Sequence, residues 1–170
     1  MTSLRRIYNM HAYFFTNGYL SSLQNGLQSA HVVSEMFIRY VGPDPGNEYF
    51  ILEKWAREHK TIIILNAGYS SEIQELCTFF KNKANPFPWA YFREEEASLN
   101  QALTCVGIIL PEEIYNASKS LREGPKGNPS ELLSKAIAGD MSGLDPWNGY
   151  KPTMWEQELA ARLNNYGLAR

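Results

Sequence analysis

Four polar side chains recur at helical spacing in the stretch 20–41. Gln24, Gln28, His31 and Glu35 follow one another at steps of four, three and four, so on a helix they share one face. An imidazole can act as a general base because its unperturbed pKa is about 6.5, and a carboxylate one turn away can orient it. The stretch therefore predicts a helix with one face whose side chains can take part in acid–base catalysis or hydrogen bonding. The alternative is that His31 is an ordinary structural histidine.

The same stretch carries a largely apolar stripe beside these polar residues, and we expect this stripe to pack against the core. The spacing of Ser21 and Gln24 matches a capping box, so the helix should begin there. Two prolines and two glycines in the segment 42–46 should end it. The stripe consists of Leu23, Leu27, Ala30, Ser34, Phe37 and Val41.

The order of motifs resembles a known family. A strand and a Gly-containing turn, followed by Gln28-Ser29-Ala30-His31, resemble the opening of the archaeal and eukaryotic type of peptidyl-tRNA hydrolase, whose first helix carries a Gln-x-x-His pattern. The β-branched run 61–66, the helix 71–83 and the segment 103–113 follow in the family's order. The resemblance covers roughly residues 8–121. It implies hydrolysis of the ester that joins a peptide to tRNA.

The catalytic residues that the resemblance implies are present only in part. In the family, a lysine of the first helix acts with an aspartate and a threonine of the loop after the third strand. The lysine position falls on Gln24, and the loop 93–98 offers only Glu94 and Ser98 as substitutes. We therefore expect catalysis from His31, Gln24, Glu94 and Ser98, and substrate binding by Gln28, Asn17 and Arg93.

Composition and periodicity predict an α/β protein. With 170 residues, 44% of them hydrophobic and 20% charged, the chain is long enough for one domain with a full core. We expect a small mixed sheet of four strands with helices on both faces, plus a helical C-terminal extension. A Gly- and Pro-rich break at 122–129 places the domain at 1–122 and the linker and extension at 123–170.

The predicted partners differ between the two regions. A net charge of −2 does not suggest nucleic acid, so tRNA binding would need a local cluster of cations; solvated surface charge is the alternative. The last predicted helix, from about 153 to 166, has a large apolar face that must dock on its own domain, a second copy or another protein. We favour a homodimer. This face consists of Trp155, Leu159, Leu163 and Tyr166.

Other classes of protein fit the sequence less well. Cys77 and Cys105 lie in apolar patterns that predict buried thiols, and no Cys-His cluster suggests zinc, so we expect neither a metal nor another cofactor. No apolar run approaches the about 18 residues of a membrane span, and we expect a cytoplasmic protein.

Two functions are left open by the sequence. The first is a divergent peptidyl-tRNA or aminoacyl-tRNA hydrolase, with weak activity because Gln24 brings no positive charge. The second is a catalytically inactive relative that binds protein or RNA through its surface and its C-terminal helix. The retained Gln-x-x-His pattern favours the enzyme, whereas the lost lysine favours the binding protein.

Overall fold

The computed structural model describes residues 9–96, 101–125, 128–140 and 144–169. The strands are β1 (Met10–Thr16), β2 (Thr61–Asn66), β3 (Trp89–Arg93), β4 (Leu103–Pro111) and β5 (Gly167–Leu168). The helices that lie wholly within these ranges are α1 (Ser22–Tyr40), α2 (Asn47–Lys54), α3 (Ser70–Phe80), α4 (Glu112–Glu123), α5 (Pro129–Ile137) and α6 (Met154–Leu163), and a π-helical turn at Trp55–His59 extends α2. Within the described residues, no helix combines the length and apolarity that crossing a bilayer requires.

The strands form one mixed sheet in the order β3-β4-β1-β2-β5. β1 and β2 are parallel, with His11 opposite Thr61 and Thr16 opposite Asn66. β3 runs antiparallel to β4, and β5 runs antiparallel to β2. The prediction of an α/β protein with a mixed sheet is confirmed. Among the described residues the sheet has five strands rather than four, because Gly167 and Leu168 pair with the end of β2.

Helices cover both faces of the sheet, as predicted. Side chains alternate along β1, so neighbouring residues of this strand pack against helices on opposite faces. Phe14 belongs to a core cluster with Val32 and Met36 of α1 on one face. Phe15 points to the other face, where its ring lies 6.0 Å from that of Phe80 in α3. Every residue of β1 except His11 is buried.

The core face of α1 differs from the prediction. The buried positions of this helix are Asn25, Gln28, Ser29, Val32 and Met36. The stripe that was expected to pack inward instead faces solvent over most of its length, with Leu23 75% exposed and Leu27 52% exposed. The apolar residues do recur at helical spacing, but α1 is rotated so that a different, partly polar face packs on the sheet. The capping box is confirmed, since Ser21 and Gln24 exchange hydrogen bonds of 2.9 and 3.3 Å.

The chain divides into two compact units, of which one comprises 1–110 and 166–170 and the other 111–165. This boundary lies earlier than the division after residue 122 that composition suggested. The reason is that α4, which the sequence assigned to the first domain, belongs to the same unit as α6. In that unit the Ser118 hydroxyl of α4 donates a 2.8 Å hydrogen bond to Asn164.

The apolar face of α6 is covered by the chain itself. Trp155, Leu159 and Leu163 are all buried. Tyr166 lies beyond the end of the helix and packs edge-on against Phe15, 5.1 Å between ring centroids. The face is therefore docked within its own chain. This arrangement was considered from the sequence as the alternative to a dimer through these four residues.

Gly107 gives a direct test of this packing. A Cβ at this position of β4 would lie 2.6 Å from Phe14 Cδ1 and 2.9 Å from Val32 Cγ1. We expect Gly107→Ala to lower the free energy of unfolding by about 1–3 kcal/mol, measured by chemical denaturation, because overpacking forces side chains or backbone to shift. Gly42→Ala is the control, since no atom lies within 4 Å of its added Cβ. Equal stability of both variants would contradict this account of the core.

Candidate functional site

A hydrogen-bonded bridge of three side chains joins α1, the end of β3 and the start of β4. Gln28 Nε2 donates to Glu94 Oε1 at 2.5 Å. Thr104 Oγ1 donates to Gln28 Oε1 at 2.9 Å. Because an ionised carboxylate can only accept, the amide NH₂ of Gln28 must face Glu94, and the Gln28 carbonyl is left to accept from the Thr104 hydroxyl. Gln28 is 6% exposed and Thr104 is fully buried, so the hydrogen bonds that orient Glu94 come from the protein interior.

His31 lies beside this bridge, one turn further along α1 than Gln28. Its ring stacks on Phe92 with centroids 4.3 Å apart and an angle of 10° between the planes. Gln28 contacts Glu94, and His31, three residues further along the same helix, contacts Phe92, so the imidazole and the carboxylate lie on neighbouring parts of one surface. His31 is solvent-exposed, which makes it accessible and excludes a core position.

Asn17 has a scaffolding role at the end of β1. Its Nδ2 donates to Ser70 Oγ at 3.1 Å and to the Leu103 carbonyl at 3.3 Å, and its backbone N–H donates to the Thr104 carbonyl at 3.0 Å. Asn17 thereby connects β1 with the starts of α3 and β4. Its side chain is 1% exposed, so the structure places this predicted substrate-binding residue beneath the surface.

Two buried amide oxygens in the same region accept no hydrogen bond from any described residue. They are Oδ1 of Asn17 and Oδ1 of Asn25, the latter one turn before Gln28 on α1. A buried acceptor without a donor costs about 1–3 kcal/mol, so each is expected to bind water or a donor of another molecule.

Gln24 contributes to the helix terminus as well as to the site. Its Oε1 accepts from the Ser21 backbone N–H at 2.9 Å, which leaves Nε2 as the donor that can act outward. Gln24 is exposed and lies one turn before Gln28 on the same face. It can donate a hydrogen bond to a substrate but brings no charge.

Arg93 points away from the bridge. Its guanidinium donates to Gln74 Oε1 at 2.7 Å and to the Gln101 carbonyl at 3.3 Å. The hydrogen bond to Gln74 of α3 places Arg93 on the α3 side of the sheet, whereas Phe92 packs against the core cluster on the α1 side. Of the remaining predicted residues, Ser98 lies outside the described ranges.

The two cysteines are poor candidates for nucleophiles. Both are buried, as the sequence predicted. Desolvation raises the pKa of Cys77 to about 11, and burial raises the pKa of Cys105 further, so neither forms an appreciable thiolate at neutral pH. Among the described residues, no group of three or more His, Cys, Asp and Glu side chains could hold a metal ion.

Thr104 and Asn25 are site residues that the sequence analysis missed. Thr104 lies within the apolar strand Leu103–Pro111, where a buried hydroxyl requires a partner. This was a usable signal. The sequence around Asn25 gave no such signal, because burial of Asn25 depends on how α1 is rotated about its axis. The apolar stripe suggested a different rotation.

No protein-family model matches the chain, and no curated protein matches it. A functional assignment must therefore start from the bridge and the residues around it.

Removing the amide of Gln28 should show how much the bridge contributes to the stability of the fold. We expect Gln28→Leu to lower the free energy of unfolding by about 1–3 kcal/mol, because the buried Thr104 hydroxyl loses its 2.9 Å acceptor. Thermal or chemical denaturation measures this. Gln157→Leu is the control, since the exposed Gln157 side chain donates a long, 3.5 Å hydrogen bond to the Pro152 carbonyl, and its backbone bond to Thr153 is unaffected by the substitution. A neutral Gln28→Leu would mean that the bridge does not stabilise the fold.

Proposed function

We propose that the chain is a divergent hydrolase of the class-two peptidyl-tRNA hydrolase type, acting slowly on the ester between an acyl group and tRNA. The observation that carries this proposal is the 2.5 Å hydrogen bond from Gln28 to Glu94. It joins the Gln-x-x-His helix to the loop after β3, which are the two segments that the resemblance assigns to one catalytic site. Such a substrate implies action in the cytoplasm.

Glu94 is the proposed general base. Ester hydrolysis needs a group that accepts a proton from the attacking water, and a carboxylate held in a fixed orientation can do so. The amide of Gln28 holds one oxygen of Glu94, and Thr104 holds that amide. The exposed ring of His31, fixed by its stack on Phe92, lies on the same surface and can contact the acyl group or the terminal base of the tRNA.

Gln24 is the proposed donor to the oxyanion that develops on the carbonyl of the ester. A neutral amide stabilises a developing negative charge less than a lysine ammonium would. The rate should therefore be low. Efficient turnover by the wild-type protein would contradict this assignment of Gln24.

Removing the proposed base should slow the reaction strongly. We expect Glu94→Gln to slow the release of the acyl group from N-acetyl-aminoacyl-tRNA at least about 100-fold, because an amide cannot accept the proton of the attacking water. Glu95→Gln, next to it in the same loop, is the control and should keep the wild-type rate. Comparable rates for the two variants would rule out Glu94 as the base.

Restoring the missing cation should accelerate the reaction. We expect Gln24→Lys to raise the rate at least about tenfold, which corresponds to roughly 1.4 kcal/mol of transition-state stabilisation. Gln24→Met is the matched control, since it removes the same capping hydrogen bond without adding charge. If both variants lose activity equally, the position acts only through the helix cap.

A second candidate function is RNA binding without catalysis, and a groove between α3 and β3 favours it. Lys81, Trp89, Tyr91 and Arg93 are among its lining residues, and its cavity volume is about 280 Å³. The guanidinium of Arg39 lies 4.8 Å from the centroid of the Trp89 ring. Cations next to aromatic rings can bind phosphates and stack on bases. Lys81 and Arg93 in the lining, with Arg39 beside Trp89, are the cations that would contact phosphates in this second proposal.

The hydrolysis assay separates the two functions when it is combined with a binding measurement. Retention of labelled acyl-tRNA by the protein with no release of the acyl group supports the binding protein. Release that depends on Glu94 supports the hydrolase.

A further inference from the structure

The groove between α3 and β3 is lined by side chains that suit an anion. Lys81 and Arg93 are its charged residues, and none of the described side chains that line it is acidic. Gln74, a third lining residue, accepts from Arg93 through Oε1, so its Nε2 is the atom that can donate elsewhere. An anion in the groove is therefore attracted by every charged side chain of this lining.

Arg93 is held in place and still has donors to offer. Its guanidinium donates one hydrogen bond to the Gln101 carbonyl and one to Gln74 Oε1. A guanidinium has five N–H groups, so these two hydrogen bonds leave others for a ligand. Paired hydrogen bonds from one guanidinium match the oxygens of a phosphate. Arg93 is thus oriented for a phosphate before the ligand arrives.

A second guanidinium approaches the same groove from α1. Arg39 Cζ lies 4.8 Å from the centroid of the Trp89 ring and 6.0 Å from that of Tyr91, while Arg93 Cζ lies 5.9 Å from the Tyr91 ring. Burial raises the pKa of Cys77, which lines the groove, to about 11, and the charges of Arg93 and Arg39 oppose this rise. The positive potential of both guanidiniums therefore reaches the lining of the groove.

Tyr91 adds an exposed aromatic surface beside these cations. It is 38% exposed, and its ring centroid lies 6.3 Å from that of Trp89. Trp89 is in turn fixed by the buried ring of Phe80, which meets it edge-on at 6.0 Å. A nucleic-acid base can stack on such a ring, whereas an inorganic anion gains nothing from it. The lining thus combines the two contacts that a nucleotide uses.

A peptide is a poorer occupant, although β3 is an edge strand of the sheet. An added peptide would pair with the main chain of this edge. The Tyr40 hydroxyl accepts from the Trp89 N–H and donates to the Trp89 carbonyl, both at 3.1 Å, and Arg39 donates to the same carbonyl at 3.0 Å. A peptide strand would have to displace these contacts at the start of β3. A nucleotide needs no main-chain pairing and leaves them intact.

We propose that this groove binds a nucleoside phosphate, with the phosphate at Arg93 and Lys81 and the base stacked on Tyr91. Its volume of about 280 Å³ is close to the lower end of small-molecule sites, about 300 Å³, which suits a single nucleotide. The nucleotide is either free or part of single-stranded RNA, since both present the same phosphate and base. The inference deepens the RNA-binding candidate and rests on it only for the identity of the polymer.

Calorimetric titration of the full chain with adenosine 5′-monophosphate and with inorganic phosphate tests the role of the aromatic ring. We expect the nucleotide to bind at least about tenfold more tightly, because only the nucleotide stacks on Tyr91. Tyr91→Ala should weaken binding of the nucleotide at least about fivefold and leave binding of phosphate unchanged. Equal affinities of the wild type for the two ligands, or no binding of the nucleotide at millimolar concentration, would overturn the proposal.

Charge variants test the phosphate contacts in the same titration. Arg93→Gln should weaken binding of adenosine 5′-monophosphate at least about tenfold, because the paired hydrogen bonds to the phosphate are lost. Lys81→Gln should also weaken it, and this exposed residue at the end of α3 takes no part in the contacts of Arg93 with Gln74 and Gln101. Arg57→Gln is the matched control, since it removes one positive charge outside the groove. Affinities of both groove variants equal to that of the control would refute the site.

A short single-stranded RNA, four adenosine nucleotides long and without an acyl group, identifies the source of the nucleotide. Tighter binding of this RNA than of the mononucleotide, weakened by salt and by Arg93→Gln, assigns the groove to RNA. Preference for the mononucleotide supports a site for the free nucleotide and removes support from the RNA-binding candidate. No ligand in these titrations carries an ester to be cleaved, so failure of the hydrolase proposal leaves the results unchanged. Conversely, a groove that binds neither ligand refutes this inference and leaves the hydrolase proposal standing.

Discussion

The close approach of α1 to the sheet at Gly107 is the constraint on which the site depends. Phe14 and Val32 occupy the space that a side chain on β4 would need, and α1 therefore lies close to the strand. Gln28, one turn before Val32, is consequently near enough to accept a hydrogen bond from Thr104 on the same strand. A packing contact in the core thus sets the position of a polar bridge at the edge of the core.

The ends of α1 were predictable from the sequence, whereas its orientation was not. A capping box and a segment rich in glycine and proline act locally, so they mark the limits of a helix without knowledge of the rest of the fold. The buried face depends on what the sheet offers. Here the sheet offers Thr104 and Glu94 as partners for Gln28, and burial of a satisfied amide costs little. The stripe with the stronger apolar period was therefore left in solvent.

The candidate site was predictable only where short motifs coincided with the resemblance. Gln28 and Glu94 are 66 residues apart in the chain, and no local signal connects them. Asn17, predicted to bind substrate, lies next to Thr104, and its amide connects elements of the scaffold. The strand β5 has only two residues, which is too short for a period to be visible. Similarly, burial of the α6 face depends on tertiary packing, and a helical pattern alone does not reveal which surface covers it.

The parallel pairing of β1 with β2 also has a kinetic consequence. Each pair in this ladder joins residues separated by 50 positions, as His11 and Thr61 are. Closing a loop of this length costs entropy before any contact between the strands compensates for it. The first turn of α1, in contrast, needs only Ser21 and Gln24. We expect the helix to form early during refolding and the central pair of strands to form late, so that the rate-limiting barrier lies in bringing the two distant strands together.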